Sequence, residues 1–226
     1  MTKEATSLKF RLLADFALLI ITAIWGSTFV MVDTAIETMN VLVFIALRFS
    51  IAFVILLIIF GYQLFKNKIR LIDIGRGVII GIFLFIGYIF QTFGLDLGTE
   101  PGKAAFITGL YVVLVPIFSA ILLKKKPHWL SWIGISVAVI GLGLLSLKSF
   151  TSFQFQDIFG DLMVFICTFG FAFHIIFIDK SVEKTHYTSL AVFQIGTTAV
   201  LAWLAALIFS PTTSIFAVPV FPIIFN

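Results

Sequence analysis

The sequence predicts an all-α integral membrane protein: a polytopic helical bundle of seven transmembrane helices plus a partial eighth, arranged as an inverted five-plus-five repeat. Three observations carry that expectation. Of 226 residues, 61% are hydrophobic and only 12% charged, with 28 Phe and a mean hydropathy of +1.16. A soluble domain has about 45–50% apolar and about 25% charged residues, so one globular core cannot hide this much apolar surface. Apolar runs near the roughly 20 residues that a helix needs to cross hydrocarbon recur seven times along the chain. Finally, sliding the sequence by 146 residues superposes two spans and their loop without a gap.

The runs cover residues 12–32, 41–60, 77–97, 104–123, 129–147, 158–178 and 189–209. None shows two-residue alternation, and backbone groups in lipid must be satisfied within the segment, so helices are expected rather than a barrel. The first run is too long for a signal-peptide core of about 7–15 residues and lacks a clear cleavage site; it reads as the first span. Gly77 and Gly81 in the third span form a GxxxG pair, and Gly134, Ala138 and Gly141 put small residues on nearly one face of the fifth. Both patterns read as close helix packing. In the fourth span Pro116 removes a backbone hydrogen bond, and a kink there would act as a gate or shape the bundle. Trp129 and Trp132 belong to an interfacial belt. Residues 210–226, SPTTSIFAVPVFPIIFN, are too short to cross and are interrupted by Pro219 and Pro222, so they read as the partial eighth span.

Lys and Arg fall on alternate loops. Lys3, Lys9 and Arg11 precede the first span; Lys66, Lys68, Arg70 and Arg76 follow the second; Lys124, Lys125 and Lys126 follow the fourth; Lys180 and Lys184 follow the sixth. The opposite loops carry only Lys103 and Lys148. This asymmetry places the N-terminus in the cytoplasm by the positive-inside rule. The formal charge of +4 therefore reports topology, and with no long soluble face to cluster on it gives no reason to expect nucleic acid. The single cysteine, Cys167, lies inside an apolar run, which excludes an intrachain disulfide.

The 146-residue offset aligns Asp15 with Asp161, Thr22 with Thr168, Asp33 with Asp179 and Arg48 with Gln194. A unit of five spans is odd in number, so the sixth span enters from the opposite side to the first, as the charge pattern requires. Inverted repeats of this kind are a mark of secondary transporters, whose binding site lies near the midplane where the halves meet.

The first span with AIWGSTFV, the second with LRF, and the stretch GTEPGKAAFITGLYVVLVPIFSAILLKKKP resemble the EamA-type branch of the drug/metabolite transporter superfamily. The resemblance covers residues 12 to about 209. It divides the chain into a first five-helix repeat, 12–147, and a truncated second repeat, 158–226. It implies a permease that moves small metabolites, such as amino acids or drugs, across the cytoplasmic membrane by alternating access, with a small-molecule substrate and the lipid bilayer as partners. Two units of 146 residues come to about 292, whereas this sequence ends at the counterpart of position 80. The alternative expectation is therefore a non-transporting fragment or pseudogene product, and a homo-oligomer stays open. A seven-span sensor or receptor is disfavoured by the inward N-terminus and by the lack of a Schiff-base Lys in the seventh span.

Arg48 is the one formal charge well inside a span. It lies seven residues after Val41, about 10 Å deep at 1.5 Å per residue, and reads either as a counter-charge for an anionic group or as a snorkelling side chain bonded to Glu37 or Glu100. Tyr88, Gln91 and Thr92 share one face of the third span, and Thr108 and Tyr111 are three apart in the fourth. These polar faces read as a cavity wall or as interhelical hydrogen bonds. Trp25, Ser27 and Thr28 lie toward the outer end of the first span; their repeat partners are Phe171, Phe173 and His174. The candidate binding set is Trp25, Ser27, Thr28, Arg48, Tyr88, Gln91, Thr108, Tyr111, His174 and Gln194. His174 would couple transport to protons or serve helix packing. The spans hold no cluster of carboxylate, His or Cys ligands, no phosphate loop and no nucleophile elbow, so neither a metal, a cofactor nor an enzymatic reaction is expected.

Overall fold

The computed structural model describes residues 3–66, 69–124, 129–150 and 158–210. Every element among them is a helix: α1 (Lys3–Ile36), α2 (Val41–Lys66), α3 (Leu71–Asp96), α4 (Pro101–Gly109), α5 (Tyr111–Leu122), α6 (Trp129–Phe150), α7 (Ile158–Val182) and α8 (Tyr187–Phe209). Among these residues, six stretches are long and apolar enough to cross a membrane: Leu12–Ile36, Val41–Lys66, Leu71–Asp96, Pro101–Leu122, Ile158–Val182 and Tyr187–Phe209. They match six of the seven expected spans and make the chain a multi-pass membrane protein. The fifth expected span coincides with α6, which runs for 22 residues over Trp129–Phe150. The partial eighth span with Pro219 and Pro222 lies outside the described residues, as do Lys68, Lys125 and Lys126.

Helix ends follow local chemistry. Asn40 caps α2, its Oδ1 accepting the backbone N–H of Leu42 at 3.0 Å and of Val43 at 3.4 Å. Asp73, in the first turn of α3, reaches back to the Arg70 N–H at 3.3 Å. Pro101 opens α4, where its missing N–H costs nothing. The fourth span departs from expectation, because its helix is interrupted at Leu110 rather than at Pro116. The Leu110 N–H turns back to the Ile107 carbonyl at 3.0 Å, a tightened 3₁₀-type bond. Pro116 lies inside the second piece, α5.

The centre of the bundle is α3, which runs antiparallel to α7 and is also packed against α8. Glycines on two of its faces make this approach. A Cβ built on Gly81 would stand 2.6 Å from the Gln194 carbonyl oxygen of α8, and one on Gly94 would stand 2.8 Å from the Gly160 carbonyl oxygen of α7. Gly170 meets Gly87 so closely that its own Cβ would fall 2.6 Å from the Gly87 nitrogen. Thr198 Oγ1 also donates to the Gly81 carbonyl at 3.1 Å, joining α8 to α3. The expected GxxxG contact of Gly77 and Gly81 is therefore present and directed at α8. The expected contact through α6 is not: a Cβ on Gly134 or Gly141 meets nothing within 4 Å.

Buried apolar side chains of α1, α2, α3, α7 and α8 form one cluster that includes Phe29, Ile45, Phe49, Leu84, Val164, Phe171 and Ala202. The first half of α1 stands apart, with Leu13 64% and Leu19 68% exposed. A side chain added at the α3–α7 crossing has nowhere to go. Gly170→Leu is expected to lower stability by about 1–3 kcal/mol through overpacking, while Gly134→Leu stays within about 0.5 kcal/mol. Thermal unfolding of both variants in detergent checks this, and equal losses would mean that glycine does not set the helix spacing.

Candidate functional site

Five helices converge on one aromatic cluster. Trp25 of α1 stands with its ring centroid 6.1 Å from Tyr111 of α5 and 6.1 Å from Phe171 of α7, the latter edge-on at 83°. Tyr88 of α3 meets Phe171 edge-on at 5.3 Å, and Phe49 of α2 meets Tyr88 at 4.9 Å. Edge-to-face pairs at these separations place the positive ring edge on the negative face. The Arg48 guanidinium carbon lies 5.0 Å from the centroid of the Tyr88 ring, in cation–π range. Arg48 also lines a groove of about 600 Å³ between α1 and α2, together with Thr28, Thr34, Glu37, Thr38 and Phe44. Its charge is thus held between an aromatic face and an open groove that also contains one carboxylate.

The other expected residues divide. Gln91 is buried and donates from Nε2 to Thr108 Oγ1 at 3.1 Å, and Thr108 continues to Cys167 Sγ at 3.6 Å. That string ties α3 to α4 and α7. Ser27 and Thr28 donate to the Ile24 and Trp25 carbonyls of their own helix at 2.7 and 2.6 Å, and Thr92 to the Tyr88 carbonyl at 2.8 Å. Hydroxyls bonded in this way satisfy themselves without a neighbour. His174 Nε2 and Gln194 Oε1 are 2.9 Å apart, joining α7 to α8 one helical turn from Phe171. The structure therefore brings Trp25, Arg48, Tyr88 and Tyr111 together, with Thr28 on the adjoining groove, and gives Gln91, Thr108, His174 and Gln194 protein partners.

Two features escaped the sequence reading. Phe171 is the hub of the cluster, and its only sequence signal was its alignment with Trp25 at the 146-residue offset. Lys103 and Asp161 form a salt bridge between α4 and α7, with Thr99 Oγ1 donating to Asp161 Oδ1 at 3.2 Å. At the opposite end of the bundle, Asp73 accepts two bonds at 2.9 Å from Arg70 and one at 3.0 Å from Thr185. Arg70 and Arg76 both donate to the Lys184 carbonyl, at 2.7 and 3.1 Å. The hydrogen bonds and then the charge of Asp73 hold the exposed Arg70 guanidinium above its ordinary pKa. Among the described residues no group of three His, Cys, Asp or Glu could hold a metal ion.

The model of the EamA-like transporter family matches residues 12–147, more than half of the chain. A protein of Archaeoglobus fulgidus named an uncharacterized transporter is 35% identical over 184 residues, which is 81% of this chain and 54% of that protein. The uncharacterized transporter YoaV of Bacillus subtilis is 25% identical over 147 residues, covering 65% of this chain and 50% of its own. The chain spans about half the length of the curated relatives it matches. A solved structure described as "Crystal structure of protein" has the same fold at a TM-score of 0.60, with 21% identity, over 86% of this chain and 67% of that one.

The Lys103–Asp161 pair yields a direct test of the packing around the cluster. Lys103 is 6% exposed, so Lys103→Ala leaves Asp161 without its counter-charge and is expected to cost about 3 kcal/mol, as for other broken buried pairs. Lys103→Met with Asp161→Leu is expected to recover most of that loss. Thermal unfolding of the two variants in detergent checks it, and an equally unstable double variant would mean that the cost is not electrostatic.

Proposed function

Because this chain belongs to the EamA-like transporter family, we propose that it forms part of a secondary transporter that moves small metabolites across the cytoplasmic membrane by alternating access. The observation that carries this reading is the meeting of α1, α3, α5 and α7 at Trp25, Tyr88, Tyr111 and Phe171, with Arg48 over Tyr88. Aromatic faces with polar tips and a guanidinium at one crossing offer a solute both apolar and charged contacts. Charges inside membrane segments usually face a cavity or a partner.

The repeat fits the same reading. In two units related by a two-fold axis, equivalent residues touch only on the axis, and Trp25 and Phe171, 146 residues apart, are in edge-on contact. By the same relation the second unit would contribute to the same site from the other side. The binding site would then be closed by both units, as in other inverted-repeat carriers. The seven-plus-one span count, the cytoplasmic N-terminus and the gating role of Pro116 belong to this proposal. Ser27, Thr28, Gln91, Thr108, His174 and Gln194 act in it as positioning groups around the lining residues. Proton coupling through His174 gains no support, since the ring is joined to the neutral amide of Gln194.

In this reading Arg48 receives the anionic group of the cargo. Uptake and efflux of radiolabelled metabolites, in cells expressing the complete reading frame that contains this chain, test it. Arg48→Ala is expected to raise KM for anionic cargo by about 10-fold or more, the loss of one charge-assisted hydrogen bond of about 1.5–3 kcal/mol, and to leave neutral cargo unaffected. Arg48→Ala that transports every anionic solute with unchanged affinity would remove the role of Arg48, and no transport of any solute by the native sequence would remove the proposal.

A further inference from the structure

The Arg70 and Lys184 end of the bundle carries a second constellation that the transport site does not use. Arg76 of α3 and Lys180 and Lys184 of α7 and its following turn line a pocket of about 210 Å³ with Ile79, Phe177 and Ser181. Three cations and no carboxylate border it. Of the nearby acids, Asp73 is bonded to Arg70 and Thr185 and pairs more distantly with Arg76 at 3.8 Å, and Glu183 lines a separate cavity with Arg70 and His186. Asp179 makes an interaction of its own.

Arg76 and Lys180 are held by neighbouring groups. Arg76 commits only Nη1, to the Lys184 carbonyl at 3.1 Å and Thr185 Oγ1 at 2.6 Å, with Asp73 Oδ1 3.8 Å away. Lys180 Nζ lies 5.9 Å from the centroid of the Phe177 ring. Phe177 is fixed in turn by stacking on Phe83 at 5.1 Å and 19°. A guanidinium with free donors beside two ammonium groups over an apolar floor matches a tetrahedral or planar oxyanion, since arginine binds such groups through a fork and lysine as a point charge.

We propose that Arg76, Lys180 and Lys184 form an oxyanion-binding site of the phosphate or carboxylate class at this end of the α3–α7 pair. The site is separate from the aromatic cluster and stands whether or not the chain transports. A lipid headgroup and a soluble anion offer the same chemistry, and the test separates them.

The side chain of Ile79 is 42% exposed, so Ile79→Cys provides a reporter thiol; the native Cys167 is fully buried and silent. The full chain is placed in phosphatidylcholine nanodiscs, and the modification rates by an anionic sulfonatoethyl and a cationic trimethylammonioethyl methanethiosulfonate are compared. The anionic reagent is expected to react faster, and Lys180→Gln with Lys184→Gln is expected to lower the anionic-to-cationic ratio by about fivefold, as removal of two charges within several ångströms would do. Both lysines are exposed, and unchanged thermal unfolding of the variant shows that it is folded.

Protection of the thiol by millimolar inorganic phosphate assigns a soluble oxyanion. Protection only when phosphatidylglycerol replaces part of the phosphatidylcholine assigns a lipid headgroup. A ratio indifferent to the lysine changes, or a thiol protected by neither probe, overturns the proposal.

Discussion

The arrangement depends on how closely α3 approaches α7 and α8. In lipid no hydrophobic gain draws helices together, because acyl chains are as apolar as leucine; association rests on van der Waals contact and on interhelical hydrogen bonds, both of which need small residues at the crossing. Gly81 and Gly94 on α3 and Gly170 on α7 provide that approach, each leaving less than 3 Å between a hypothetical Cβ and a neighbouring backbone atom. The rest of the site inherits this spacing. Tyr88 reaches Phe171 because Gly87 beside it admits the α7 backbone, and Gln91 reaches Thr108, one contact from Cys167, one turn further along. A wider crossing would separate the rings and leave the Gln91 amide without its partner, so the glycines position the cluster although none of them belongs to it.

The two ends of the same helix pair are fastened by charge. Lys103 and Asp161 close one end, and Arg70, Asp73, Arg76 and Thr185 close the other. These residues lie in the last turns of the spans or the loops beside them, where desolvation is smaller than at the bilayer centre, and each is satisfied by more than one partner. What they set is register: the Asp73 group holds the start of α3 to the turn after α7 through Lys184 and Thr185, and Lys103 holds α4 to α7. Lys103 is thereby removed from the charge asymmetry: an ammonium neutralised by Asp161 adds little to a topology signal carried by loop Lys and Arg.

The spans were legible in the sequence because length and apolarity alone decide them, and the GxxxG pair because close approach admits few residue types. The break at Leu110 was not. Pro116 drew attention as the residue with a missing donor, while the helix is interrupted six residues earlier, where no residue of unusual backbone preference marks it. Lys103 was read as a loop charge and Asp161 as the repeat partner of Asp15, since nothing local tells either one of a partner 58 residues away in the chain. Trp25, Tyr88 and Tyr111 were found because an aromatic with a polar tip is conspicuous among aliphatic residues. Phe171 is one of 28 phenylalanines, and only its alignment with Trp25 distinguished it.

That same offset pairs Thr28 with His174 and Arg48 with Gln194, and the two pairs have different surroundings. His174 and Gln194 bond to each other at 2.9 Å where α3 packs across α7 and α8, with Gly81 against the Gln194 backbone. A covered position must satisfy its polar groups internally, and a neutral ring with a neutral amide does so at little desolvation cost. Thr28 and Arg48 border the open α1–α2 groove instead. Thr28 turns its hydroxyl to its own backbone, and Arg48 rests on the Tyr88 face. A guanidinium at the covered position would be buried without a counter-charge, and an amide at the open one would offer no charge to a solute. The difference between Arg48 and Gln194 thus follows their surroundings: the Gln194 backbone is packed under Gly81 of α3, and Arg48 lies on the Tyr88 face beside the α1–α2 groove.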